Sequence, residues 1–154
     1  MSGIIGSTGS KSGVIGTTEI NYEEGTWSPV LSDGTNNATV NSGSTGGSYI
    51  KIGKTINLFG RCTTSGLGSV SGSVRITGLP YTVGSGQKHY AGMAIGEAGN
   101  LNLAAKESPS LVPSIGETHL TVNNFDDAVG SSRFQSGEWS ADGYLSFSGI
   151  YKID

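Results

Sequence analysis

Short alternating runs, each closed by a turn cluster, recur about every ten residues along this chain of 154. Alternation puts successive side chains on opposite faces of a strand. Few stretches suit a helix, because 26 residues are glycine and only 14% are charged, against ~7% glycine and ~25% charge in an average domain. Strand signals at this spacing predict an all-β fold, an antiparallel β-sandwich or barrel-like head. The length suits one domain. Glycine-rich strands bury little per residue, so a symmetric oligomer is expected to complete the core.

The individual runs carry definite expectations. "TWSPVLS" (26–32) reads as an edge strand, since Pro29 cannot donate to a ladder. "DGTNNATVNSGSTGG" (33–47) is a turn-rich connection with a short strand around Val40. "SYIKI-GK-TINLFGRCTT" is the clearest hairpin, with Ile50 and Ile52 on one face of its first strand and Ile56 and Leu58 on one face of its second. Gly60 inside it signals a bulge or a close backbone approach. Val74 and Ile76 alternate, as do residues 118–124. Residues 88–96 and 100–106 read as a hairpin joined by "EAGN". "ESPSLVPSIGE", with two prolines, reads as irregular, and "NFDDAVGSSRF" as holding one helical turn. "GEWS-ADG-YLSFSGIYKI" reads as two strands around an Asp-Gly turn. Trp27, Tyr49, Phe147 and Tyr151 belong to the core on this pattern.

Residues 1–20 differ in character from the rest of the chain. "SGIIG" at 2–6 and "SGVIG" at 12–16 repeat a pair of aliphatics between glycines. Two readings stand: a flexible tail, or an extended arm that orders on docking. Ile4, Ile5, Val14 and Ile15 favour the arm, since a plain linker has no use for them. The division is therefore a docking arm over 1–20 and a head over 21–154, with residues 1–18 as the segment that meets a partner.

Little in the chain suggests chemistry. The net charge is -3, and the nine basic residues are scattered, which speaks against nucleic acid. No apolar run approaches the ~20 residues of a membrane helix, and the first residues lack a signal-peptide pattern. Cys62 is alone and reads as a small buried hydrophobe. His89 and His119 have no metal-ligand spacing around them. Glu23/Glu24 and Asp126/Asp127 are adjacent, and adjacent strand residues face opposite ways, so neither pair converges. A pair assembled from distant strands, such as Glu24 with Glu138, stays open. No catalytic residue, metal or cofactor is expected. His89, Tyr90 and Trp139, beside loops at 84–90 and 136–143, are the residues offered for contact with a host surface.

Four stretches occur in order: "GSKSGVIGTTEINYEEGTWSPVL", "GGSYIKIGKTINLFGRCTTSG", "GSVRITGLPYT" and "GYLSFSGIYKID". Together they resemble a module at the C-terminal ends of bacteriophage tail-fibre and other virion appendage proteins. The resemblance spans residues 9–154. It implies a homotrimeric β-rich head without enzymatic activity, made in the host cytoplasm and placed on the virion. "YEEGTW-P" then marks where the arm gives way to the head, with Glu23 and Glu24 solvated or paired to a basic residue. The expected role is a short tail-fibre or receptor-binding head, bound through residues 1–18 to another virion protein and through its loops to a host surface glycan or protein. The alternative is a capsid decoration protein with a purely structural role, and a glycan depolymerase ranks last.

Overall fold

The structure, a computed structural model, describes residues 21–86, 92–127 and 130–154. Eleven strands lie among them: β1 Tyr22–Trp27, β2 Val30–Ser32, β3 Thr39–Val40, β4 Gly46–Ile52, β5 Thr55–Gly66, β6 Arg75–Thr77, β7 Ala94–Leu101, β8 Ser108–Pro113, β9 His119–Asp126, β10 Gly130–Arg133 and β11 Trp139–Lys152. A single 3-10 turn, Ser136–Glu138, is the one helical element among the described residues. Two antiparallel sheets result. The first runs β1-β4-β5-β11-β7, with β3 on the end of β5. The second runs β10-β9-β6-β2, with β8 on β9. Since β8 covers the length of β9 from Leu120 to Phe125, β6 and β10 must share the other side of β9, end to end.

Between the sheets lies the core, which includes Leu31, Ile56, Leu58, Ile76, Leu120, Val122, Phe134, Leu145 and Tyr151. Cys62 is fully buried there, and burial pushes its thiol up to about 12. Pro29 sits where β1 of one sheet gives way to β2 of the other. Its missing N–H suits a residue that leaves one ladder before joining the next. At the opposite corner Met93 N–H donates to the Leu111 carbonyl at 2.9 Å, linking the chain before β7 to β8.

Glycines let aromatics lie flat on the backbone. A Cβ at Gly60 would come 2.8 Å from the Trp27 ring and 2.9 Å from Phe147. This is the close approach that a glycine within a strand signals. Trp27 also donates from Nε1 to the Phe59 carbonyl at 2.9 Å.

Four local expectations are corrected. "EAGN" lies inside the single strand β7, and Asp142–Gly143 lies inside the 14-residue strand β11. Glu97, Ala98 and Gly99 stay in the strand because they pair with Ser146, Leu145 and Tyr144 of β11, while Asn100 takes a left-handed φ of 52°. The surplus residues are absorbed as an irregularity between Trp139 and Tyr144, and Asn100 Nδ2 donates across it to Asp142 Oδ2 at 2.8 Å. The two-proline stretch forms β8. Leu111 directs its carbonyl away from β9, toward Met93. Pro109 and Pro113 share its parity, so their missing N–H groups fall on the side where no continuous ladder runs. Where a helical turn is expected after Asn124, β9 returns through β10 in register Asp126↔Gly130.

Candidate functional site

Glu23 is the first group to test for chemistry. Tyr49 and Tyr81 donate their hydroxyls to its two carboxylate oxygens at 2.6 and 2.5 Å, and Lys51 Nζ lies 4.0 Å away. Gly25 makes room, since a Cβ there would come 2.6 Å from the Tyr49 ring. The hydrogen bonds from Tyr49 and Tyr81, and the charge of Lys51, hold Glu23 below the usual carboxylate range, while the Glu23 carboxylate raises both phenols. A general base works best with a pKa near the operating pH, and this arrangement moves Glu23 and both tyrosines away from it. Glu23 ties β1 to β4 and to the loop at Tyr81. Glu24 accepts from the Tyr22 hydroxyl, and Glu138 accepts from Gln135 N–H and the Asn124 amide, so each has its own partners.

Of the residues offered from sequence, Ile4, Ile5, Val14, Ile15, His89 and Tyr90 lie outside the described residues. Trp139 is corrected: it is 1% exposed and cannot meet a host surface. Its Nε1 donates to Thr64 Oγ1 at 2.9 Å, its ring packs edge-on to Phe134, and Gly143 leaves the space it fills. At the 84–90 loop, Ser85 and Gly86 are exposed, and their amides donate to the Asp154 carboxylate.

Two surfaces remain, one on each sheet. On the outward face of the six-stranded sheet the register sets Tyr22 beside Ile52 and Ile50 beside Asn57, with Ile150 beyond. Ile50 and Ile52 thus share a face, and it is the outer one. Tyr22, Ile52, Phe59 and Ile150 are 58%, 46%, 48% and 53% exposed. They are four of the five exposed large hydrophobics among the described residues. At roughly 200 Å² per large side chain they leave on the order of 400 Å² of apolar surface, within the size range of functional patches. One row further, Arg61 donates to Glu97 at 2.6 Å and to Ser146 at 2.9 Å, and lies 4.2 Å from the Tyr144 ring centre.

The outward face of the five-stranded sheet is polar. Alternation along β9 buries Leu120 and Val122 and turns His119, Thr121, Asn123 and Phe125 outward. Arg75 sits opposite Thr121 and Arg133 opposite Asn123. Two strands far apart in sequence thereby place two arginines at successive same-face positions of β9. Among the described residues neither has a carboxylate at ion-pairing distance. Arg75 donates to the Asp33 carbonyl at 3.1 Å. A cleft of about 590 Å³, floored by Thr121 and Asn123 and walled by β8 and β10, lies here. A second, of about 300 Å³, lies between Arg75, His119 and Arg133. Burial, and the charges of Arg75 and Arg133, lower the His119 pKa against the pull of Glu117. These residues were missed from sequence, although the polar half of "THLTVNNF" carries the signal once its apolar half is read as core.

No protein-family model matches the chain, and no curated protein matches it. Among solved structures it is similar to the crystal structure of the Dettilon tailspike protein (gp208), with a TM-score of 0.73 and 19% identity over 85% of this chain. The match covers 24% of that tailspike chain. At this identity the likeness establishes a shared fold.

Proposed function

We propose that this chain is the β-sandwich head of a bacteriophage tail appendage, a short tail-fibre or receptor-binding head that attaches the virion to its host. The observation that carries the reading is the fold shared with a tailspike over most of the chain. The ordered motifs from Tyr22 to Tyr151 point the same way. The head has no enzymatic role: its best-placed carboxylate, Glu23, is committed to two tyrosines.

Three copies of the chain associate through the outward face of the six-stranded sheet. Its apolar strip supplies about half of the ~800 Å² that one partner gives to a standard interface. Residues 1–18 hold the trimer to another virion protein. Three heads then bind the host by multivalency, which tolerates weak single sites.

The test is in two parts. Light scattering on purified protein is expected to give the trimer mass, and labelled trimer is expected to bind host cells. Labelling along the capsid rather than the tail, with no cell binding, would replace this reading with a capsid decoration role. Deleting residues 1–18 is expected to abolish incorporation into particles while the head still folds.

A further inference from the structure

We propose that the outward face of the five-stranded sheet is a binding groove for an acidic saccharide. Arg75 and Arg133 hold the anionic group, Asn123 and Ser131 bond sugar hydroxyls, and Phe125 stacks on a ring.

Charge is the first support. The chain is acidic overall, at -3, yet two arginines stand side by side here with no carboxylate paired to either among the described residues. Like charges held this close repel unless an anion lies between them, and a guanidinium presents a planar fork that suits carboxylate and phosphate oxygens. Arg75 is braced by the Asp33 carbonyl and lies against Gly34, so it is positioned before any ligand arrives. Arg133 is exposed at the end of β10.

Shape and lining are the second. The cleft of about 590 Å³ falls within the usual range for small-molecule sites, ~300–1,000 Å³. Its walls mix serines 114, 131 and 132 with Val112, Pro113 and Ile115, and Asn123 lies on its floor. Ser114 and Thr121 share a hydrogen bond at 2.7 Å, which leaves Asn123 and the β10 serines to meet a ligand. Phe125 is the third support. It continues the outward line of β9 opposite Ser131, and at 55% exposure it is the one large apolar side chain described on this face that is open to solvent. From Thr121, opposite Arg75, to Phe125 the line runs about 13 Å with Arg133 between them, room for a short saccharide whose anionic group lies across the arginines and whose next ring reaches Phe125.

The inference deepens the host-attachment reading and rests on it for the source of the ligand. Uronic acids and hexose phosphates offer the same anionic chemistry on a ring, so both are tested. Calorimetric titrations would use a galacturonate hexamer, its carboxyl-reduced neutral form and a phosphodiester-linked glucose hexamer. At least one anionic oligomer is expected to bind tenfold or more tightly than the neutral one, and which one binds names the source. Arg133→Gln is expected to lose at least tenfold in affinity for it, and Phe125→Ala several-fold. Lys54→Gln, the same charge change at the distant β4–β5 turn, is expected to change nothing. Unaltered thermal melting of Arg133→Gln would show that the fold is kept. Equal binding of all three oligomers, or full affinity in Arg133→Gln, overturns the groove. If the wild type binds host cells and Arg133→Gln binds them equally, the groove falls and the attachment reading stands. Arginine-dependent oligomer binding without cell binding does the reverse.

Discussion

The two outward faces of this sandwich hang on the same core, yet they handle their charges in opposite ways. On the six-stranded sheet Arg61 is fully engaged, with Glu97, Ser146 and Tyr144 around it, and the surface beside it is apolar. On the five-stranded sheet Arg75 and Arg133 face outward without a carboxylate among the described residues, and the surface beside them mixes hydroxyl and amide groups with Val112, Pro113 and Ile115. A neutralised, apolar face suits a permanent partner, because burying an unpaired charge is costly. An uncompensated polar face suits a partner that comes and goes in water. One sheet thus carries the features of a subunit interface and the other those of a recognition surface.

The largest effect that would break this contrast is on association. Phe59→Asp with Ile150→Asp places like charges across the proposed subunit contact, and is expected to weaken association at least about a hundredfold, read as monomer mass by light scattering. Arg75→Gln with Arg133→Gln is expected to keep the trimer mass. A trimer that survives the aspartates would mean that the interface lies elsewhere.

A smaller effect separates the faces by pH. The folded state depresses the His119 pKa by burial and by Arg75 and Arg133, so the unfolded chain takes up the proton first. The stabilising contribution is complete above about pH 6.5 and is lost as pH falls below it, by no more than about 1.4 kcal/mol per pH unit for one proton. Denaturant unfolding from pH 7.5 to 5 is expected to show a steeper loss for wild type than for His119→Asn. On the other face Arg61, and then Tyr144, lower Glu97. Its contribution is present above the ordinary carboxylate value and disappears only at more acidic pH. Arg61→Gln is expected to be the mildest change: the Arg61 and Glu97 side chains are 36% and 57% exposed, so the melting midpoint should move by about 2 °C or less.

What could be read from sequence depends on how local each signal is. Val74/Ile76, Ile56/Leu58 and the run from Leu120 carry their inward faces in plain alternation, and Gly53 with Lys54 closes the β4–β5 hairpin as expected. Where pairing across the sheet decides, local rules fail. Asp142–Gly143 has the chemistry of a turn but is taken up as an irregularity within β11, and Pro109 and Pro113 are tolerated because their bare sides meet no continuous ladder. The groove was the least legible feature. Arg75 and Arg133 become neighbours only because β6 and β10 dock in line on β9, which no short window contains. Trp139 was misplaced for the same reason, since Thr64, its hydrogen-bond partner, is 75 positions away.

The placement of β11 bears on when the chain can fold. This strand fills the slot between β5 and β7, with Lys152 opposite Thr55 and Ser148 opposite Ala94. A nascent polypeptide stopped before residue 139 would leave two long strands with bare rims and Ile56 and Leu58 uncovered, a state prone to clump with its siblings. Synthesis must therefore pass this strand before the two sheets can close on their core.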